Sequence, residues 1–126
     1  MTPADFTSDA QTILPELVEL RRALHADPEL GLDLPRTQQK VLDALEGLPL
    51  KITTGTRTSS VTAVLRGALP GPTVLLRGDM DALPIVEETD LDFASANGNM
   101  HACGHDLHTA GLVGAAKLLS ARQNEL

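Results

Sequence analysis

Hydrophobic positions recur at helical spacing from Ser8 to about Ala26, where Ile13, Leu14, Leu17, Val18, Leu20 and Leu24 form one apolar stripe. Pro15 lacks an N–H to donate, so the well-formed helix is expected to begin nearer Leu14, with Pro15 in its first turn. Asp27-Pro28 ends it. A loop through Gly31 leads to a second helix from about Pro35 to Leu45, which carries Val41, Leu42 and Leu45 and stops at Gly47.

The period then shifts towards two. Leu50-Lys51-Ile52-Thr53 reads as a short strand, and after the Gly55–Ser59 loop the alternation of Ser60–Arg66 predicts a half-buried strand. Pro70-Gly71-Pro72 is a turn. The continuous apolar run Thr73–Arg77 is expected to be a strand covered on both faces. Its carboxyl end delivers Gly78-Asp79-Met80-Asp81, at the sheet edge where α/β folds build sites. Residues 82–99 read as loop. A final helix from about Leu107 to Ala121 is expected, capped by Asp106 and kept slim by Ala110, Gly111, Gly114, Ala115 and Ala116. Helix, helix, strands and helix in that order make an α/β domain.

Composition narrows the class. The 126 residues suit one domain, and 42% apolar residues can form a core, filled by aliphatic side chains because Phe6 and Phe93 are the only aromatics. A net charge of −7 argues against a nucleic-acid partner. There is no apolar run long enough for a membrane span and no secretion-signal pattern at the N-terminus. One cysteine forms no internal disulfide, so a reducing compartment, the cytoplasm, is the expectation.

The chemistry concentrates in His101-Ala102-Cys103-Gly104-His105-Asp106-Leu107-His108, which holds three of the four histidines and the one cysteine. Imidazole, thiolate and carboxylate are the donors that divalent transition metals select. Gly104 lets the backbone turn so that Cys103 and His105 can converge on one ion, though a closed site needs further ligands. Taken alone, the pair also fits a small cysteine beside a surface histidine. Asp79 and Asp81 fit either a carboxylate that fixes the tautomer of a metal-bound imidazole or a solvated turn. His101 and His108 read as supporting or structural residues before ligands. His25 reads as a helix-terminal histidine interacting with the dipole, and Glu87-Glu88 as a solvated loop rather than a general-base pair.

Arg77–Glu87, followed by Ser95, Gly98 and Met100–His108, resembles the M20 metallopeptidase family, in its amidohydrolase branch of hippurate hydrolases, N-acetyl-diaminopimelate deacetylases and auxin-conjugate hydrolases. Arg21–His25 and Pro28–Gly31 match that branch's opening helix and loop; Leu34–Thr37 departs from it by lacking acidic residues before the threonine. The resemblance implies part of a di-metal aminopeptidase-like catalytic domain, with helices packed on a mixed sheet. It further implies two divalent ions (Mn, Ni, Zn or Co) per complete site, held by five side chains. Two of these map onto Cys103, a bridging thiolate, and His105. Asp81 maps onto the catalytic aspartate that orients the metal environment. Asp79, with His101, Asp106 and His108, is placed just outside the ligands.

The general-base glutamate, three further ligands and a lid domain lie later in the family than Gln123–Leu126, so the expectation is that residues 1–126 are the N-terminal part of the catalytic domain, truncated and inactive alone. The complete enzyme is expected to hydrolyse the amide of small N-acylated amino acids. Self-association through an open sheet edge is expected of a partial sheet. The alternatives are a non-catalytic interaction module that pairs through that edge and a redox-sensing thiol at Cys103.

Overall fold

The structure, a computed structural model, describes residues 3–126, with side chains from Phe6 onward. Helix α1 spans Pro3–His25, α2 Pro35–Leu45 and α3 His105–Ala121; strands β1, Leu50–Thr54, and β2, Val61–Leu65, lie between α2 and α3. A 3-10 turn over Gln123–Glu125 follows α3.

Helix α1 starts well before Leu14 and runs through Pro15, contrary to expectation. The Gln11 carbonyl that loses its partner at Pro15 is on an exposed face, where water can serve it, so the ring interrupts the hydrogen bonding without ending the helix. Leu24 at the inner end of the stripe is 1% exposed. Helix α2 begins at Pro35, whose missing N–H would be unsatisfied at that position anyway. Its cap comes from outside the helix. The buried Glu29 carboxylate accepts from the N–H of Thr37 at 2.7 Å and of Arg36 at 3.3 Å.

Strands β1 and β2 form an antiparallel ribbon in the register Leu50 to Leu65 through Thr54 to Val61. Val41 and Leu45 of α2 meet Val113 of α3 at the centre of the core, with Leu17, Leu20, Ile52, Val61 and Met80 around them. Helix α3 packs against α1 at Gly114. A Cβ there would lie 2.6 Å from Leu17 Cδ1, so the small residue sets the approach of the two helices.

The run Thr73–Arg77 is extended but lies outside both strands, which corrects the expectation of a strand buried on both faces. Val74 is 77% exposed and Leu75 86%. Burial on two faces requires paired strands on both sides, and among the described residues pairing is confined to the β1–β2 ribbon and two isolated bridges, Leu30 with Ala82 and Leu83 with Met100. No described helix is long and apolar enough to cross a membrane.

Candidate metal centre

Two segments meet at the start of α3. The chain after the exposed run carries Asp79 and Asp81 towards the helix, and the Thr109 hydroxyl donates to the Asp79 carbonyl at 2.8 Å, pinning the segment there. Gly104 precedes the helix with φ of +79°, a left-handed conformation that favours glycine. This turn makes His105 the first helical residue, one turn before Thr109 on the same face.

His105 Nδ1 lies 2.9 Å from both the carbonyl and the carboxylate oxygen of Asp81. Two acceptors at one nitrogen require it to carry the proton. In the neutral ring Nε2 then carries the lone pair, 3.9 Å from an Asp79 carboxylate oxygen. That tautomer is the one a metal-binding imidazole presents, with a carboxylate behind it. The other Asp79 oxygen pairs with Arg77 at 2.5 Å. The His108 ring lies 5.6 Å from that of His105 and is exposed, as is the free thiol of Cys103. The donors therefore fit a divalent ion by type and, at His105, by orientation. Among the described residues no three of them form a metal-holding group.

Asp106 turns the other way. It is wholly buried and does not cap α3: the N-cap is Gly104, without a side-chain hydrogen bond. One Asp106 oxygen lies 2.7 Å from His25 Nδ1 and 2.8 Å from Arg21 Nε. His25 Nε2 lies 2.8 Å from Glu87 Oε1. Each ring nitrogen of His25 thus faces a carboxylate, and the Arg21 Nη2 also lies 3.3 Å from Nδ1. Glu87 also accepts from the Thr89 hydroxyl and the Ser95 N–H, each at 2.6 Å. Burial acts to raise the Glu87 pKa, but the hydrogen bonds from Thr89, His25 and Ser95 outweigh it and hold it down at about 2. Phe93 closes the cluster, edge-on to His25 at 5.4 Å and beneath the Arg21 guanidinium.

Two expectations are corrected here. His25 does end α1, but it is a buried link between two carboxylates rather than a surface partner of the helix dipole, and Glu87 is an enclosed anion rather than part of a solvated loop. Arg21 carries no role in the sequence beyond its place in the Arg21–His25 match, because its distance along the chain from Asp106 gives no local signal. His101 is 5% exposed, its ring 6.4 Å from that of His25, and neither ring nitrogen has a partner among the described residues. Burial pushes its pKa down, which keeps it neutral. The eight-residue run therefore divides. Cys103, His105 and His108 lie on the accessible side with Asp79 and Asp81, whereas His101 and Asp106 are interior.

The model of peptidase family M20/M25/M40 matches residues 75–126. An N-acyl-L-amino acid amidohydrolase of Geobacillus stearothermophilus is 43% identical over 100% of this chain and 34% of its own length. An N-acetylcysteine deacetylase of Bacillus subtilis is 44% identical over 87% of this chain and 30% of its own length. The crystal structure of a dinuclear metal-binding peptidase of family M20 from Bacillus subtilis superposes with a TM-score of 0.85 at 42% identity, covering 92% of this chain and 33% of that one. The chain spans about a third of the length of these relatives.

Proposed function

We propose that this chain, a member of the M20 peptidase family over the third of a relative's length that it spans, is the N-terminal part of the catalytic domain of a metal-dependent amidohydrolase acting on N-acylated amino acids. Cys103 and His105 are its contributions to a two-ion site, and Asp81 orients His105. The observation that carries this reading is the His105 ring, whose Nδ1 is committed to Asp81 while Nε2 stays open. Relatives named as N-acyl amino acid amidohydrolase and N-acetylcysteine deacetylase support the substrate class.

When bound, the divalent ions (Mn, Ni, Zn or Co) supply an acidified water and a polarised scissile carbonyl. The residues of this chain hold and orient. Cys103 offers a thiolate, His105 a lone pair of fixed tautomer, and Asp81 a carboxylate that raises the basicity of that ring. Asp79 lies beside the open nitrogen. Glu87 does not serve as the general base, because hydrogen bonds occupy its oxygens and hold its proton affinity low. This reading gives these residues metal binding and orientation, and assigns proton transfer to none of them.

The test is protection of Cys103 from a thiol reagent by Zn²⁺, Mn²⁺ or Ni²⁺. Protection is expected, and is expected to disappear in His105→Ala. Reactivity indifferent to metal overturns ligation and leaves a redox-sensing thiol as the better reading. Turnover of an N-acetyl amino acid by the chain itself overturns the division of labour.

The exposure of Val74, Leu75 and Leu76 favours a second reading, an interaction module that pairs through this open run, either with its own copy or with another segment. Concentration-dependent self-association that Leu75→Lys abolishes would support pairing between copies; a monomer at all concentrations would refute that form.

A further inference from the structure

The mechanism leaves unused a buried polar cluster that joins three separate parts of the chain. Arg21 and His25 come from the end of α1, Asp106 from the first turn of α3, and Glu87 from the irregular segment 82–99. A guanidinium and an imidazole lie between two carboxylates, and one Asp106 oxygen meets both of them. Asp106 directly follows His105. Successive side chains on a helix point about 100° apart, so clamping one fixes the direction of the other. Thr109 holds the adjoining face of α3 to the Asp79 carbonyl at 2.8 Å. The first turn of α3 is thus held on two sides, inward at Asp106 and towards the aspartates at Thr109.

We propose that Arg21, His25 and Glu87 are positioning residues. Through Asp106 they set the rotation of the first turn of α3, so that His105 keeps Nδ1 on Asp81 and presents Nε2 to a metal ion. Glu87 is the far anchor. It orients the His25 ring from the side opposite Asp106, and Ser95 and Thr89 orient Glu87 in turn. The part that concerns metal rests on the function proposed above; the part that concerns the His105 ring does not.

The experiment separates the two. Ring-nitrogen NMR of His105 is recorded at one mildly alkaline pH, without metal, in the chain and in Glu87→Gln and His25→Gln. Val41→Ala, a core change in α2 that removes none of the cluster's hydrogen bonds or ion pairs, is the control for general destabilisation. Zn²⁺ affinity is then measured on the same four proteins with the metal alone. In the parent and in Val41→Ala, Nδ1 is expected to be the protonated nitrogen. In Glu87→Gln and His25→Gln the tautomers are expected to mix, and Zn²⁺ binding to weaken by about tenfold or more, the usual cost of losing support behind a ligand.

A His105 signature that stays unchanged in both folded cluster variants overturns the proposal. So does one that shifts equally in Val41→Ala, because the cluster would then be ordinary structural support. Should a variant fail to fold, the milder Thr89→Val, which removes one donor from Glu87, takes its place with the same expected direction. If the parent binds no Zn²⁺ but the His105 signature responds as stated, the positioning role stands and the metal reading falls.

Discussion

Replacing Asp106 by alanine tests the energetics of the buried cluster most directly. The carboxylate is wholly enclosed, His25 is nearly so, and the Arg21 side chain is 25% exposed. Removing one partner of a buried ion pair costs about 3–5 kcal/mol, because the opposite charge is left without compensation. Two adjustments apply. Arg21 keeps some access to water, which favours the low end of that range. Asp106 Oδ1 is buried without a partner, so its removal returns about 1 kcal/mol of desolvation. The expected net loss is about 2–3 kcal/mol, a large part of the 5–15 kcal/mol typical of a domain. It corresponds to a fall of about 10 °C in Tm for a chain of this size. Urea denaturation at neutral pH gives the loss from the midpoint at constant slope. A double-mutant cycle with His25→Ala isolates the pair and is expected to show a coupling above about 1 kcal/mol. A loss below about 1 kcal/mol, or losses that simply add, would refute the claim that these charges are mutually compensating.

Four further substitutions test other parts of the fold. Glu87 has a folded pKa of about 2 against an ordinary 4.5, so its contribution is complete above about 4.5 and is lost as the pH falls towards 2. Urea midpoints measured down this range are expected to fall less steeply in Glu87→Gln than in the parent; parallel curves would contradict the assignment. Gly111→Ala is expected to stabilise α3 by about 0.5–1 kcal/mol from helix propensity, since nothing lies within 4 Å of the added Cβ. Gly114→Val should instead cost about 1–3 kcal/mol by pressing on Leu17, and thermal melts of the two variants should therefore move in opposite directions. Glu29→Gln weakens the carboxylate cap of α2 and is expected to cost about 1 kcal/mol, read from the same melts.

The elements with a local period were legible from the sequence. Pro35–Leu45 was expected and observed with the same bounds, β1 extends one residue further than expected, and β2 is shorter by one residue at each end. What the sequence could not show depends on partners far along the chain. Thr73–Arg77 has the composition of a covered strand, but cover is supplied by neighbours, and composition says nothing of whether they are present. The start of α1 differs because solvent on the exposed side of Pro15 serves the carbonyl that the ring leaves unpaired, so the helix begins well before it. His25 lies 81 positions from Asp106 and 62 from Glu87, separations that no spacing rule addresses.

The density of metal-type donors in residues 101–108 invited a single explanation, and the geometry supplies two. A helix sends neighbouring side chains in different directions, so a run of ligand types that enters a helix cannot all face one ion. His105 and Asp106 are adjacent in sequence and opposed in role: one faces the aspartates at the accessible edge, the other an arginine and a histidine in the interior. The opposition is also what makes the turn rigid. A side chain clamped inside and a side chain offered outside share one piece of backbone, so the interior pairing limits how far the exposed imidazole can swing. The same reasoning explains why Gly104 stands between Cys103 and His105. Its left-handed backbone starts the helix abruptly, placing the thiol on the turn and the imidazole on the first helical residue, so that the sulfur and nitrogen are carried by differently oriented backbone.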